Sequence, residues 1–244
     1  MSKALQYFKE VYDTVPDWVQ KMHDYSPQVL DTYTGIRGEI MQDGALTRRE
    51  KDALIASMNA ARLYRRSMIF HTKGAIDFGY SVPELAEFFL TAYLYKGDQA
   101  IQLAIEAISY ALELNDRPAP LPSSSPKSAG EGIELIISWL GDEDTSYLEQ
   151  VKALVDAQDE EALHKKIMGD GLISSHLKHL NMAGNFIVEL NGEGASPWME
   201  KARAVGASEA DLADIGYICI LTAGIPAWFE LSDSLKAKNP GTEE

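Results

Sequence analysis

Two stretches of this chain read as one unit written twice. "GYSVPELAEFFLTAYLYKG" begins at Gly79, "GASEADLADIGYICILTAG" begins at Gly206, and the two align without a gap. Gly79 matches Gly206, Ser81 matches Ser208, Glu84 matches Asp211, Glu87 matches Asp214 and Gly97 matches Gly224. The grammar is that of helix ends. A glycine closes one helix in a left-handed turn, and a serine caps the next. An acid three residues on completes a capping box, with the longer Glu84 suited better than Asp211. A duplicated helix–glycine–helix unit restricts the chain to helices packed on helices.

The intervening segments agree. In "REKDALIASMNAARLYRRSMIFHTKGAIDF" apolar residues recur at three, four and seven, as they do in "QAIQLAIEAISYALEL" (99–114). Strand-like alternation is scarce, so the expected fold class is all-α. "NDRPAPLPSSSPKSAGEG" (115–132) holds four prolines and four serines and reads as a linker. The expected domains are therefore 1–114 and 133–244, joined by 115–132. A shorter polar stretch, "NGEGASP" (191–197), is expected to interrupt the second half.

A net charge of −15 argues against nucleic acid or an anionic membrane as partner. Cys219 stands alone, which suits a reducing, cytoplasmic setting. No apolar run is long enough to span a bilayer, and the N-terminus lacks a signal-peptide pattern.

His71 lies eight residues before Gly79 on a segment of apolar and small residues. On an ideal helix it shares a face with Tyr64, Ser67 and Met68. A phenol, a hydroxyl and an imidazole that titrates near neutrality can together move protons. Asp52 can orient the imidazole if the chain folds back. The bland alternative is a core histidine satisfied by Tyr64 or by a carbonyl. From Arg48 to Lys73 there are seven basic residues and two acids, a cationic island that suits a small carboxylate or else a solvated helix face. His176 and His179 have the spacing of a metal pair but no acid or cysteine cluster beside them, and no metal is expected. No phosphate-binding loop or nucleophile elbow is present.

The unit at 46–110, with His71 ahead of its glycine, resembles the carboxymuconolactone decarboxylase family, which includes the alkylhydroperoxidase D-like proteins. A weaker copy at 172–236 ends in "TAGIP" (222–226). The resemblance implies two fused helical units related by pseudo-two-fold symmetry. The peroxidase branch carries a glutamate and then C-x-x-C-x-x-x-H. Here those cysteine positions hold Tyr64 and Ser67, and the glutamate position holds Asp52. Neither tyrosine nor serine can attack a peroxide and resolve the product, so thiol peroxidation is not expected. In the second copy the same positions hold Asn191, Gly194, Trp198 and His179, which reads as chiefly structural. Cys219 reads as a buried, inert thiol.

The resemblance implies a cofactor-independent lyase of the decarboxylase type, acting on a small unsaturated lactone or keto acid. His71 is then the acid/base, Tyr64 and Ser67 donate to the developing oxyanion, and Asp52 orients His71. Arg66, with Arg62 as a second candidate, would hold the substrate carboxylate, although neither shares the His71 face of a straight helix. The alternative is a non-catalytic member that binds a small molecule or builds an oligomer. A cavity of roughly 300 Å³ lined by Tyr64, Ser67 and His71 separates the two, because a solidly packed cluster favours the scaffold. Fused pairs are expected to associate further as a homo-oligomer, most simply a trimer.

Overall fold

Three consecutive helices in the second half repeat the boundaries of three in the first at a constant shift. The computed structural model describes residues 2–237, in which every regular element is an α-helix. In the first half α1 (Lys3–Tyr12), α2 (Asp17–Tyr25) and α3 (Pro27–Ile40) precede α4 (Arg48–Ala61), α5 (Arg65–Asp77), α6 (Val82–Lys96) and α7 (Asp98–Leu114). In the second, α8 (Ala129–Leu140), α9 (Ser146–Asp156) and α10 (Glu160–Met168) precede α11 (Ser175–Val188), α12 (Gly192–Ala204), α13 (Glu209–Ala223) and α14 (Ile225–Ser232). Helices α4, α5 and α6 start at 48, 65 and 82, and α11, α12 and α13 start at 175, 192 and 209, a shift of 127 each time. Among the described residues no helix is long and apolar enough to cross a membrane.

The caps explain the shared boundaries. Ser81 and Ser208 both form full capping boxes, and Asp211 closes its box as well as Glu84 does, at 2.7 Å against 2.8 Å to the serine N–H. The shorter acid suffices because the serine N–H lies within its reach. Leu63 and Leu190, again 127 apart, both adopt a left-handed backbone with φ of 58°. A non-glycine residue there is unfavourable by about 1–2 kcal/mol. In return each makes a tight reversal between the first and second helix of its unit, so that α5 packs back along α4.

Three expectations need correction. The linker ends sooner than the composition indicates, because Ser128 caps α8 and residues 129–132 are helical, with Ala129, Gly130 and Gly132 buried. "NGEGASP" does not interrupt the second half. Asn191 caps α12, and the rest of the stretch forms its first turns, with Pro197 inside the helix. The segment from Arg48 to Asp77 is two antiparallel helices, so Tyr64 stands at the reversal, ahead of α5, and not on the His71 helix.

α4 and α11 form the middle of the molecule and are buried nearly all round. Gly184 leaves the room that the Met58 side chain fills where these helices meet. Each carries a lysine inward. Lys51 of α4 pairs with Asp214 of α13 at 3.1 Å and donates to the Gln42 carbonyl at 2.8 Å. Lys178 of α11 pairs with Glu87 of α6 and donates to the Gly169 carbonyl at 2.6 Å and to the Tyr147 hydroxyl at 3.1 Å. Lysine, acid and carbonyl all recur at the same shift of 127. Each half thus supplies the acid for the buried lysine of the other.

α1 to α3 make a smaller core of their own around Leu5, Phe8, Val19 and Leu30. They lie over α5, held by Tyr12 against Phe70 (ring centroids 4.8 Å) and by an Asp13–Lys73 ion pair at 3.1 Å.

The Lys178–Glu87 pair is fully excluded from solvent, whereas Asp214 keeps 9% exposure. Removing one partner of a buried pair strands the other charge and costs about 3–5 kcal/mol. Lys178→Met should therefore lower stability by that order in urea unfolding, and Lys51→Met by less. The double change Lys178→Met/Glu87→Leu should recover most of the loss. A Lys178→Met protein as stable as the wild type would contradict this account.

Candidate functional site

The reversal at Leu63 lays α5 against α4 and brings residues 19 apart in sequence into contact. Asp52 Oδ1 lies 2.6 Å from His71 Nδ1, and Arg48 Nε donates to Asp52 Oδ2 at 2.7 Å. Gly74 makes room for this contact. A Cβ there would stand 2.6–2.7 Å from the Asp52 carboxyl group, closer than a carbon can approach.

Electrostatics fixes the protonation of the pair. Burial raises the Asp52 carboxyl, but the hydrogen bond and charge of His71, with those of Arg48, outweigh it and hold the group below the usual carboxylate range. Burial lowers His71 and Asp52 raises it, and with the positive charges of Arg37 and Arg48 the balance lies below the ordinary imidazole value. At neutral pH the pair is an ionised Asp52 and a neutral His71. Nδ1 then carries the proton and donates it to Asp52, and Nε2 keeps a free lone pair. Among the described residues Nε2 has no hydrogen-bond partner.

His71 forms part of the wall of a cavity of about 310 Å³ between α5 and the α1–α3 layer. Ser67 and Tyr64 also line it, with Trp18, Tyr33 and Phe70 as aromatic walls. Ser67 Oγ accepts a hydrogen bond from Asn59 Nδ2 at 3.0 Å, so its own proton is free to be donated. Tyr64, 47% exposed, stands at the rim. Arg66 is exposed at the same rim. Arg62 is not among the lining residues. It ties the two halves together by donating to the Thr222 carbonyl, with Glu189 3.8 Å away.

One residue at the site escaped the sequence analysis. Arg37 lines the cavity, is only 3% exposed, and donates from Nη2 to the Tyr12 hydroxyl at 3.2 Å. Its signal was present but faint. Leu30, Tyr33 and Arg37 recur at helical spacing, which puts a charge on the apolar stripe of α3.

The second half differs at the same places. Shifted by 127, His71, Asp52 and Arg37 become Trp198, His179 and His164. His179 lies against Trp198 (ring centroids 6.0 Å), and Trp198 and His164 line a hollow of about 370 Å³ with Phe186, Tyr95 and Met182 on its walls. No carboxylate lines it, and burial lowers both His164 and His179. His176 faces Asp211 at 3.5 Å and His179 bonds the Ser175 carbonyl. Cys219 is fully buried beside Met58, and burial pushes its thiol far above the usual range.

Residues 27–109, from the start of α3 into α7, match the model of the carboxymuconolactone decarboxylase family. No curated protein matches the chain.

A depressed histidine pKa links to stability with a definite sign. The unfolded chain binds a proton at His71 near pH 6.5 and the folded chain only at lower pH, so stability falls as pH drops below 6.5 until the folded value is reached. His164 and His179 add to this slope in the same direction. The contribution of Asp52 is lost only in stronger acid, below 3.8. His71→Asn can keep the hydrogen bond to Asp52 while removing the titration. Its thermal midpoint should fall less steeply with acidification below pH 6.5 than that of the wild type, and equal slopes would place the neutral form of His71 in error.

Proposed function

We propose that this chain, which carries a carboxymuconolactone decarboxylase family domain over residues 27–109, is a cofactor-independent lyase acting on a small unsaturated lactone or keto acid. The observation that carries the reading is a neutral imidazole on an ionised Asp52, set in the wall of a cavity large enough for such a substrate. A histidine packed solid would serve only the core.

The chemistry follows from these groups. The bond to the departing carboxylate breaks, carbon dioxide leaves, and the electron pair spreads through the unsaturated system onto a carbonyl oxygen. Ser67 Oγ–H, with the Tyr64 hydroxyl at the rim, is placed to donate to that oxygen. The dienolate then takes a proton on carbon from His71 Nε2. Since His71 rests neutral, it draws this proton from water as negative charge builds beside it, and Asp52 stabilises the imidazolium in between. One proton is consumed and one carbon dioxide released per turnover.

The constant shift of 127 residues supports a duplicated unit with pseudo-two-fold symmetry, in which the second half is scaffold. Exposed Tyr217, Ile225 and Phe229 on α13 and α14 suit further association into a homo-oligomer, most simply a trimer. Light scattering at micromolar concentration should give a mass well above 27 kDa, and a monomer would count against it.

The test of the activity is carbon dioxide release from a panel of unsaturated lactone acids and β-keto acids. His71→Asn should lower turnover of the responding substrate about 10²–10⁴-fold, the usual worth of a general acid/base. Its thermal midpoint at pH 7.5 should change little. Wild-type turnover in a folded His71→Asn protein would remove His71 from the mechanism.

A further inference from the structure

Two of the buried cations of this protein, Lys51 and Lys178, have a carboxylate within 4 Å, and Arg37 has none among the described residues. Its Nη2 donates to a phenol and its Nε has no acceptor at all. The phenols do not supply the missing charge, because burial pushes Tyr12 and Tyr33 upward and keeps both neutral. Asp52 attracts Arg37 from a distance but makes no bond to it, since its oxygens bond His71 and Arg48. A desolvated guanidinium with no anion in contact is unfavourable unless something else offsets it. It borders the one cavity that also contains His71.

We infer that Arg37 is the anchor of an anion site inside this cavity, and that its ligand is a planar unsaturated or aromatic carboxylate. The guanidinium fork matches a carboxylate with two parallel N–H donors. Trp18, Tyr33 and Phe70 provide flat apolar walls for the body of the ligand. A carboxylate held there lies in the same cavity as His71. This replaces Arg66 at the rim as the group that fixes the ligand. It deepens the reading of the cavity as a lyase site, and it rests on that reading only in taking the bound carboxylate to be a substrate.

The test uses the full chain and benzoate as probe, with benzamide as its uncharged isostere, measured by calorimetric titration and thermal unfolding. Benzoate should bind the wild type, and benzamide should bind roughly 10–100-fold more weakly, the worth of charge-assisted hydrogen bonds. Arg37→Met should weaken benzoate by a similar factor and raise the thermal midpoint of the free protein, because an unpaired buried charge is gone. Arg37→Lys should retain part of the affinity. Unchanged benzoate affinity in Arg37→Met, no binding to the wild type, or a lowered midpoint in Arg37→Met would each overturn the proposal, the last by assigning Arg37 to structure alone. Should no substrate turn over while Arg37 still governs benzoate binding, the lyase reading fails and the anion site stands.

Discussion

The two buried lysines impose the condition that the rest of the molecule meets. Neither Lys51 nor Lys178 finds its acid within its own half. Lys51 reaches Asp214 on α13, and Lys178 reaches Glu87 on α6. An unpaired charge in the interior is far more costly than an unmade contact, so each half can bury its central helix only when the other is docked in register. Glycines stand where the acids need space. A Cβ at Gly44 would come within 2.9 Å of Asp214, and one at Gly171 would overlap Glu87. Once α4 is placed by Lys51, the next residue, Asp52, points to a different side and meets α5. The pairing between halves and the pairing with His71 therefore come from adjacent residues of one helix turn.

Each half holds two sets of positions with different rules. Lysine, acid, left-handed leucine, capping serine and closing glycine recur at the shift of 127, because they build the helices and lock the halves together. Apart from Leu94 and Leu221, the positions around the two hollows do not recur. One hollow gathers an ionised carboxylate, a neutral histidine and a buried guanidinium. The other replaces all three with Trp198, His179 and His164, and its walls are mainly apolar and aromatic. The scaffold tolerates either set, since the buried lysine pairs and the helix caps lie elsewhere.

The same logic explains which residues were legible. Caps, glycine ends and apolar period are local properties, so the helices, the linker and the repeated unit can be read along the chain. His71 and Asp52 were readable together because the resemblance sets an acid upstream of the histidine, and their contact needed only that the chain fold back. Tyr64 was misplaced on the helix face for a local reason too: a leucine in the left-handed region gives no sequence signal, whereas a glycine does. Arg37 lies on α3, outside the repeated pattern, and its chemistry depends on there being no acid in contact with it. An absence of partners in space cannot be counted along a sequence.

The amino-acid sequence by itself determined an all-helical chain, the matching cap patterns at 79–97 and 206–224, the absence of thiols at Tyr64 and Ser67, and the candidacy of His71. Only the tertiary structure decided that the lysine pairs cross between halves, that α1–α3 roof the cavity, and that Arg37 borders it with no carboxylate in contact. The division has one physical cause. Propensity and capping act over about four residues, whereas desolvation and charge pairing depend on which groups the finished fold encloses together.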